Sequence, residues 1–126
     1  MPAVTSMDML AEGSLTTDGT EQTIIETSGE FPFTLNAWLN LSNMEAGDTI
    51  TVKQYIRTKE GGNWARYAKK IYHGIQSDPA LFVTTKPSMY GIKITLEENT
   101  GEHGTIDYNV FRQRGVVDRG SIVLTS

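Results

Sequence analysis

Phe33, Leu35, Ala37, Leu39 and Leu41 occupy every second position of one stretch, with Thr34, Asn36, Trp38 and Asn40 between them. A period of two sends the aliphatic side chains to one face of an extended strand and the others to the opposite face. Glu45-Ala46-Gly47-Asp48 turns the chain, and Ile50, Val52 and Ile56 resume the alternation. After Lys59-Glu60-Gly61-Gly62-Asn63, a third run carries Trp64, Tyr67, Ile71 and Tyr72. Three runs joined by turns predict a β-meander with one apolar face, and such a face must be covered by a second sheet.

The remaining runs are extended as well. Ser14–Thr17 reads as a short strand, and Asp18-Gly19 is a two-residue turn signal because glycine tolerates positive φ. Glu21–Thr27 follows, then Leu81–Thr85. In Tyr90, Ile92, Ile94 and Leu96 the alternation returns against Gly91, Lys93, Thr95 and Glu97, and Ile106, Tyr108 and Val110 form another inward set. Trp64–Lys70 has helix-forming Ala and Lys, but the preceding Gly-Gly turn and the aromatics at 64, 67 and 72 favour a strand. About eight strands at roughly ten-residue spacing predict an all-β antiparallel sandwich, jelly-roll-like. The expected organisation is an N-terminal arm over residues 1–13, a sandwich over 14–113 and a tail over 114–126.

A chain of 126 residues has room for one such domain. It has no cysteine, which excludes disulfides, thiolate catalysis and cysteine metal sites. The first residues show neither a basic cluster nor a long apolar run, so a cleaved signal is not expected. No stretch approaches the ~20 apolar residues that cross a bilayer, so a membrane is not an expected partner. The net charge of −4 argues against nucleic acid as a partner. Its distribution is uneven. Residues 1–52 hold eight acids and no Lys or Arg, whereas all eleven basic residues lie at or after Lys53. Acidic and basic strands that pair across a sheet would produce this pattern, and so would opposite charge on separate faces that join copies of the chain.

No catalytic, cofactor or metal constellation stands out. His73 and His103 are the only imidazoles, and no nucleophile elbow accompanies them. Glu97, Glu98, Glu102 and Asp107 flank a Gly-containing loop but lack the spacing of an EF-hand, and a solvated hairpin tip is the expected state. Lys53, Arg57, Lys59, Arg66, Lys69 and Lys70 with Trp64 and Tyr67 have the composition of a single-strand nucleic-acid patch, yet charge is also ordinary on an outward strand face. Trp38 and Tyr55 fall out of phase with their apolar neighbours and should point outward. Large outward aromatics mark contact surfaces, for a second copy or for a stacked sugar ring.

Asp18-Gly19-Thr20-Glu21-Gln22-Thr23-Ile24-Ile25, Leu41-Ser42-Asn43-Met44-Glu45-Ala46-Gly47-Asp48-Thr49 and Tyr90-Gly91-Ile92-Lys93-Ile94-Thr95-Leu96 occur in this order. In this the chain, over about residues 13–112, resembles small β-sandwich structural proteins encoded among the head genes of tailed phages and related viruses. The resemblance implies a virion component without enzymatic activity, of the capsid decoration (cement) type. Its implied partners are the major capsid protein and further copies, as a trimer. It transfers no site residue. The candidate interface residues are Trp38, Tyr55, Trp64, Tyr67, Met7, Met9, Val116 and Val117. The alternative is a carbohydrate-binding or adhesive module that uses exposed aromatics on a glycan.

Overall fold

The computed structural model describes residues 5–100, 104–115, 117–118 and 121–122. Ten strands are assigned: β1 (Thr5–Thr16), β2 (Glu21–Thr27), β3 (Phe33–Asn40), β4 (Thr49–Ile56), β5 (Ala65–His73), β6 (Ala80–Thr84), β7 (Ile92–Thr100), β8 (Thr105–Gly115), β9 (Val117–Asp118) and β10 (Ser121–Ile122). The first eight build two antiparallel four-stranded sheets, in the orders β1-β8-β3-β6 and β2-β7-β4-β5, and β9 with β10 forms a short ribbon. The all-β sandwich expected from the alternation is therefore the fold, and Trp64–Lys70 contributes to a strand.

The topology follows from one folding pattern. β1 pairs with β8, β2 with β7, β3 with β6 and β4 with β5. Thr5↔Gly115, Asn36↔Thr84 and Thr49↔His73 are all centred near the Lys59–Gly61 turn. The chain is one long nested hairpin whose tip is the β4–β5 turn, rolled so that β3 meets β8 and β4 meets β7. That is the jelly-roll order.

Rolling corrects two local expectations. β3, β4 and β5 are not a meander: β3 lies in one sheet and β4–β5 in the other, so Leu41–Asp48 is a crossing between layers rather than a hairpin turn. Asp18-Gly19 likewise carries the chain from β1 in one sheet to β2 in the other. Gly19 has φ 82°, and the Asp18 carboxylate accepts from Thr20 N at 3.0 Å and Thr20 Oγ1 at 2.6 Å. Turn chemistry fixes the local bend, whereas the pairing partner is a long-range choice.

Thr5–Gly13, expected within an arm, belong to β1 and pair along β8. A register shift between Met9 and Ala11 conceals this strand in the sequence. Leu10 and Ala11 both pack against the core, so the period of two breaks there and Met9 turns outward, 53% exposed. β2 has a similar shift between Thr23 and Ile25, which lets Ile24 and Ile25 both reach the interior.

The core lies between the sheets. Phe33, Leu35, Ala37, Leu39, Val83, Ile106 and Val110 from one layer meet Ile24, Ile50, Val52, Ile92, Ile94 and Leu96 from the other. Burying a Val, Leu, Ile or Phe side chain contributes about 1.5–3 kcal/mol. Tyr90, expected to point inward, is exposed because β7 begins only at Ile92.

Candidate functional site

The outward faces of the two sheets differ in chemistry. On β2-β7-β4-β5, Glu21, Thr95, Glu97, Lys53 and Tyr55 form a polar lattice of hydrogen bonds and ion pairs. Tyr55 Oη donates to Glu21 Oε2, Thr95 Oγ1 donates to the same oxygen at 2.6 Å, and Lys53 Nζ lies 3.5 Å from Glu21 Oε1 and 3.6 Å from Glu97 Oε1. Desolvation works to raise the Glu21 pKa, but the hydrogen bonds from Thr95 and Tyr55 and the Lys53 charge outweigh it, holding the carboxyl below its ordinary value. Burial, with the donated bond to Glu21, raises the Tyr55 phenol.

Trp64 is enclosed by its own fold. The Arg57 guanidinium sits 4.2 Å from its ring centroid and Lys93 Nζ 4.8 Å, with Lys93 also 4.6 Å from the Tyr55 ring. Tyr67 acts as a tie: its hydroxyl donates to Gln54 Oε1 at 2.6 Å and accepts from Lys86 N at 3.0 Å. Burial raises its pKa. These contacts give Tyr55, Trp64 and Tyr67 internal partners. Of the remaining interface candidates, Met9 is exposed, Met7 lies on β1, Val117 lies on β9, and Val116 falls outside the described residues.

The other outer face carries an exposed aromatic pair, whereas the exposed large apolar residue on a strand of the first sheet is Ile71 at its edge. Trp38 on β3 is 44% exposed and Phe82 on β6 47%. They are direct cross-strand partners, with ring centroids 4.7 Å apart and planes tilted by 52°. Met9 faces Phe111 across β1 and β8 on the same side. Between these pairs the face is unexpectedly closed: Thr34, Asn36 and Gln113 are buried, with Asn36 Nδ2 donating to Gln113 Oε1 at 3.0 Å and Thr84 Oγ1 to Asn36 Oδ1 at 3.3 Å.

Beside Trp38 opens a groove of about 470 Å³ whose lining includes Asn40, Ser42, Pro79, Asp107 and Asn109. Two of its polar side chains are held from behind. Ser42 N donates to Asn40 Oδ1 at 3.0 Å, and Ser14 Oγ donates to Asp107 Oδ1 at 2.6 Å. Asn40, Asp107 and Asn109 were not singled out as a set from sequence. The available signal was their placement on the outward phase of β3 and β8, but only the β3–β8 register brings Asn40 opposite Asp107 and Trp38 opposite Asn109.

The acids that flank the loop after β7 do not form one solvated tip. Glu97 lies on the outer polar face near Lys53, Asp107 lines the groove on the other sheet, and Glu102 is outside the described residues. Glu98 is buried, because it continues the inward phase of Ile92, Ile94 and Leu96 and lies opposite the core residue Ile50. There it lines a cavity of about 10 Å³ with Asp48, Thr17 and Asn43, at the lower limit for holding one water. Asp48 Oδ2 accepts from Glu45 N at 2.7 Å, which closes the turn before β4. Among the described residues, no three His, Asp or Glu side chains converge to hold a metal ion. His73 ends the edge strand β5, exposed, with Nδ1 3.4 Å from Thr49 Oγ1. His103 lies outside the described residues.

No helix among the described residues is long and apolar enough to cross a membrane. Comparison with known proteins finds no matching family model, no matching curated protein and no matching solved structure.

Proposed function

We propose that this chain is a virion structural protein of the capsid decoration type, held on a shell by its two end segments and by contacts between copies. The observation that carries this reading is the pairing of Thr5 with Gly115. The chain enters β1 and leaves β8 side by side, so both end segments start from one end of one sheet. The exposed Met9 lies near that end, as do Arg112 and Arg114, each 3.7 Å from Asp8. Along β8, Asp107 at the groove lies about 26 Å from Gly115 at the rise of an extended strand. The sandwich thus has an end suited to attachment and an end that faces away. A standard protein contact needs about 800 Å² per partner, which two segments and an apolar rim can supply.

The test is in two parts. Light scattering on the full chain at micromolar concentration should give the mass of a trimer, and Met9→Glu should shift it toward monomer. Mass spectrometry of purified virus particles should find the chain at a stoichiometric level with the major capsid protein. A chain that is monomeric at every concentration and missing from particles would refute the reading.

A further inference from the structure

We infer that the groove beside Trp38 is a binding site for a neutral pyranose oligosaccharide. The inference is independent of the virion reading, since it rests on the isolated sandwich.

A sugar ring offers an apolar face of C–H groups and a rim of hydroxyls. A protein recognises it with an exposed aromatic plane beside planar polar side chains whose direction is already fixed. Trp38 supplies the plane, and Phe82 packs against it and holds the indole at the surface. The groove lies at the Asn40 end of β3, and its volume is within the roughly 300–1,000 Å³ of small-molecule sites.

The hydrogen-bond inventory gives the polar rim its direction. Asn40 Oδ1 is taken by Ser42 N, which leaves its Nδ2 as a donor. Asp107 Oδ1 is taken by the Ser14 hydroxyl, which leaves Oδ2 as an acceptor. These two side chains face each other across the β3–β8 pair, one donating and one accepting, as vicinal hydroxyls require. Asn109 lines the groove beside them. Groups oriented beforehand bind with less loss of rotamer freedom.

Charge narrows the ligand. The Asp107 carboxylate lines the groove, and Glu12 on β1 pairs with Asn109 on the same face. Uronic and sialic acids would meet the Asp107 carboxylate in the groove, with Glu12 beyond Asn109, so neutral hexoses and N-acetylhexosamines are the class that fits.

The chain has two tryptophans, so its indole N–H resonances can be told apart by Trp38→Phe alone. The full chain is titrated with trisaccharides of glucose, mannose, galactose and N-acetylglucosamine, and with trigalacturonate as the anionic probe. The Trp38 indole signal should move with at least one neutral trisaccharide at a Kd of about 1 mM or tighter. Trigalacturonate should leave it unmoved, and the Trp64 signal should stay in place. Asn40→Ala and Asp107→Ala should each weaken binding about tenfold, while Trp38→Ala abolishes it with an unchanged melting curve. The inference is overturned if no neutral trisaccharide moves the Trp38 signal, or if binding survives Trp38→Ala. It is also overturned if light scattering shows Trp38 buried in a contact between copies that Trp38→Ala dissolves. The virion reading stands or falls separately, on the particle analysis.

Discussion

Gly91 shows how one absent side chain places a large one. A Cβ there would lie 2.8 Å from Trp64 Cη2 and 3.1 Å from Cζ3, so the indole can lie over the backbone entering β7 only if this residue is glycine. Arg57 and Lys93 then cover the ring. Gly91→Ala should destabilise the fold by about 1–3 kcal/mol, as overpacking does, read from denaturant midpoints. Adding Trp64→Ala should remove most of that penalty, because the clash is with the indole. At Glu21 the folded-state pKa lies below the unfolded one. Its contribution is therefore present above the unfolded carboxylate range and is lost as pH falls through the folded value. Melting temperature should decline over that acidic window, and Glu21→Gln should flatten the decline. The carboxylate is exposed, so the effect is small, about 0.2–1 kcal/mol.

At the scale of elements, the alternating runs in β3, β4 and β7 were legible in the sequence because each keeps an unbroken period of two over its core-facing residues. Trp38 could be assigned outward for the same reason. β1 could not be read in full, since the extra residue at Leu10 puts Met9 and Ala11 on opposite faces. Glu98 continues the inward phase of β7, so its burial follows from the same alternation although its charge argued for a solvated tip. The groove was legible only in part: Trp38 announced itself, whereas Asn40 and Asp107 are 67 positions apart and meet by register alone. Thr34 and Asn36 occupy the outward phase as expected, yet they are buried, and no local pattern signals that. Strand order also sets local stability. β3, β8, β4 and β7 are central, while β1, β6, β2 and β5 are edges. Amide exchange should be slowest in β3 and β7, both central and both buried in the core, and fastest in β5, whose residues are mostly exposed. Equal protection in β5 and β7 of the isolated monomer would contradict this order.

At the scale of the whole molecule, the nested hairpin explains the uneven charge along the chain. The acid-rich first half and the basic second half run alongside each other, so Asp8 meets Arg112 and Arg114, and Glu21 meets Lys53. Part of the asymmetry is neutralised within each sheet, between adjacent β1 and β8 and across β7 between β2 and β4, and need not act between molecules. Arg66 and Lys69 on the exposed edge β5 have no such neighbour among the described residues, and charge of this kind blunts an open strand edge against unwanted pairing. The neighbouring positions of Thr5 and Gly115 carry a further implication for anyone who would use the protein. A passenger domain joined directly ahead of Thr5 or directly after Gly115 would emerge from the same pole, leaving the Trp38 groove at the far pole unobstructed. Grafted onto a particle in that orientation, the chain becomes a ready-made handle whose outward tip can be rewritten without touching what fastens it.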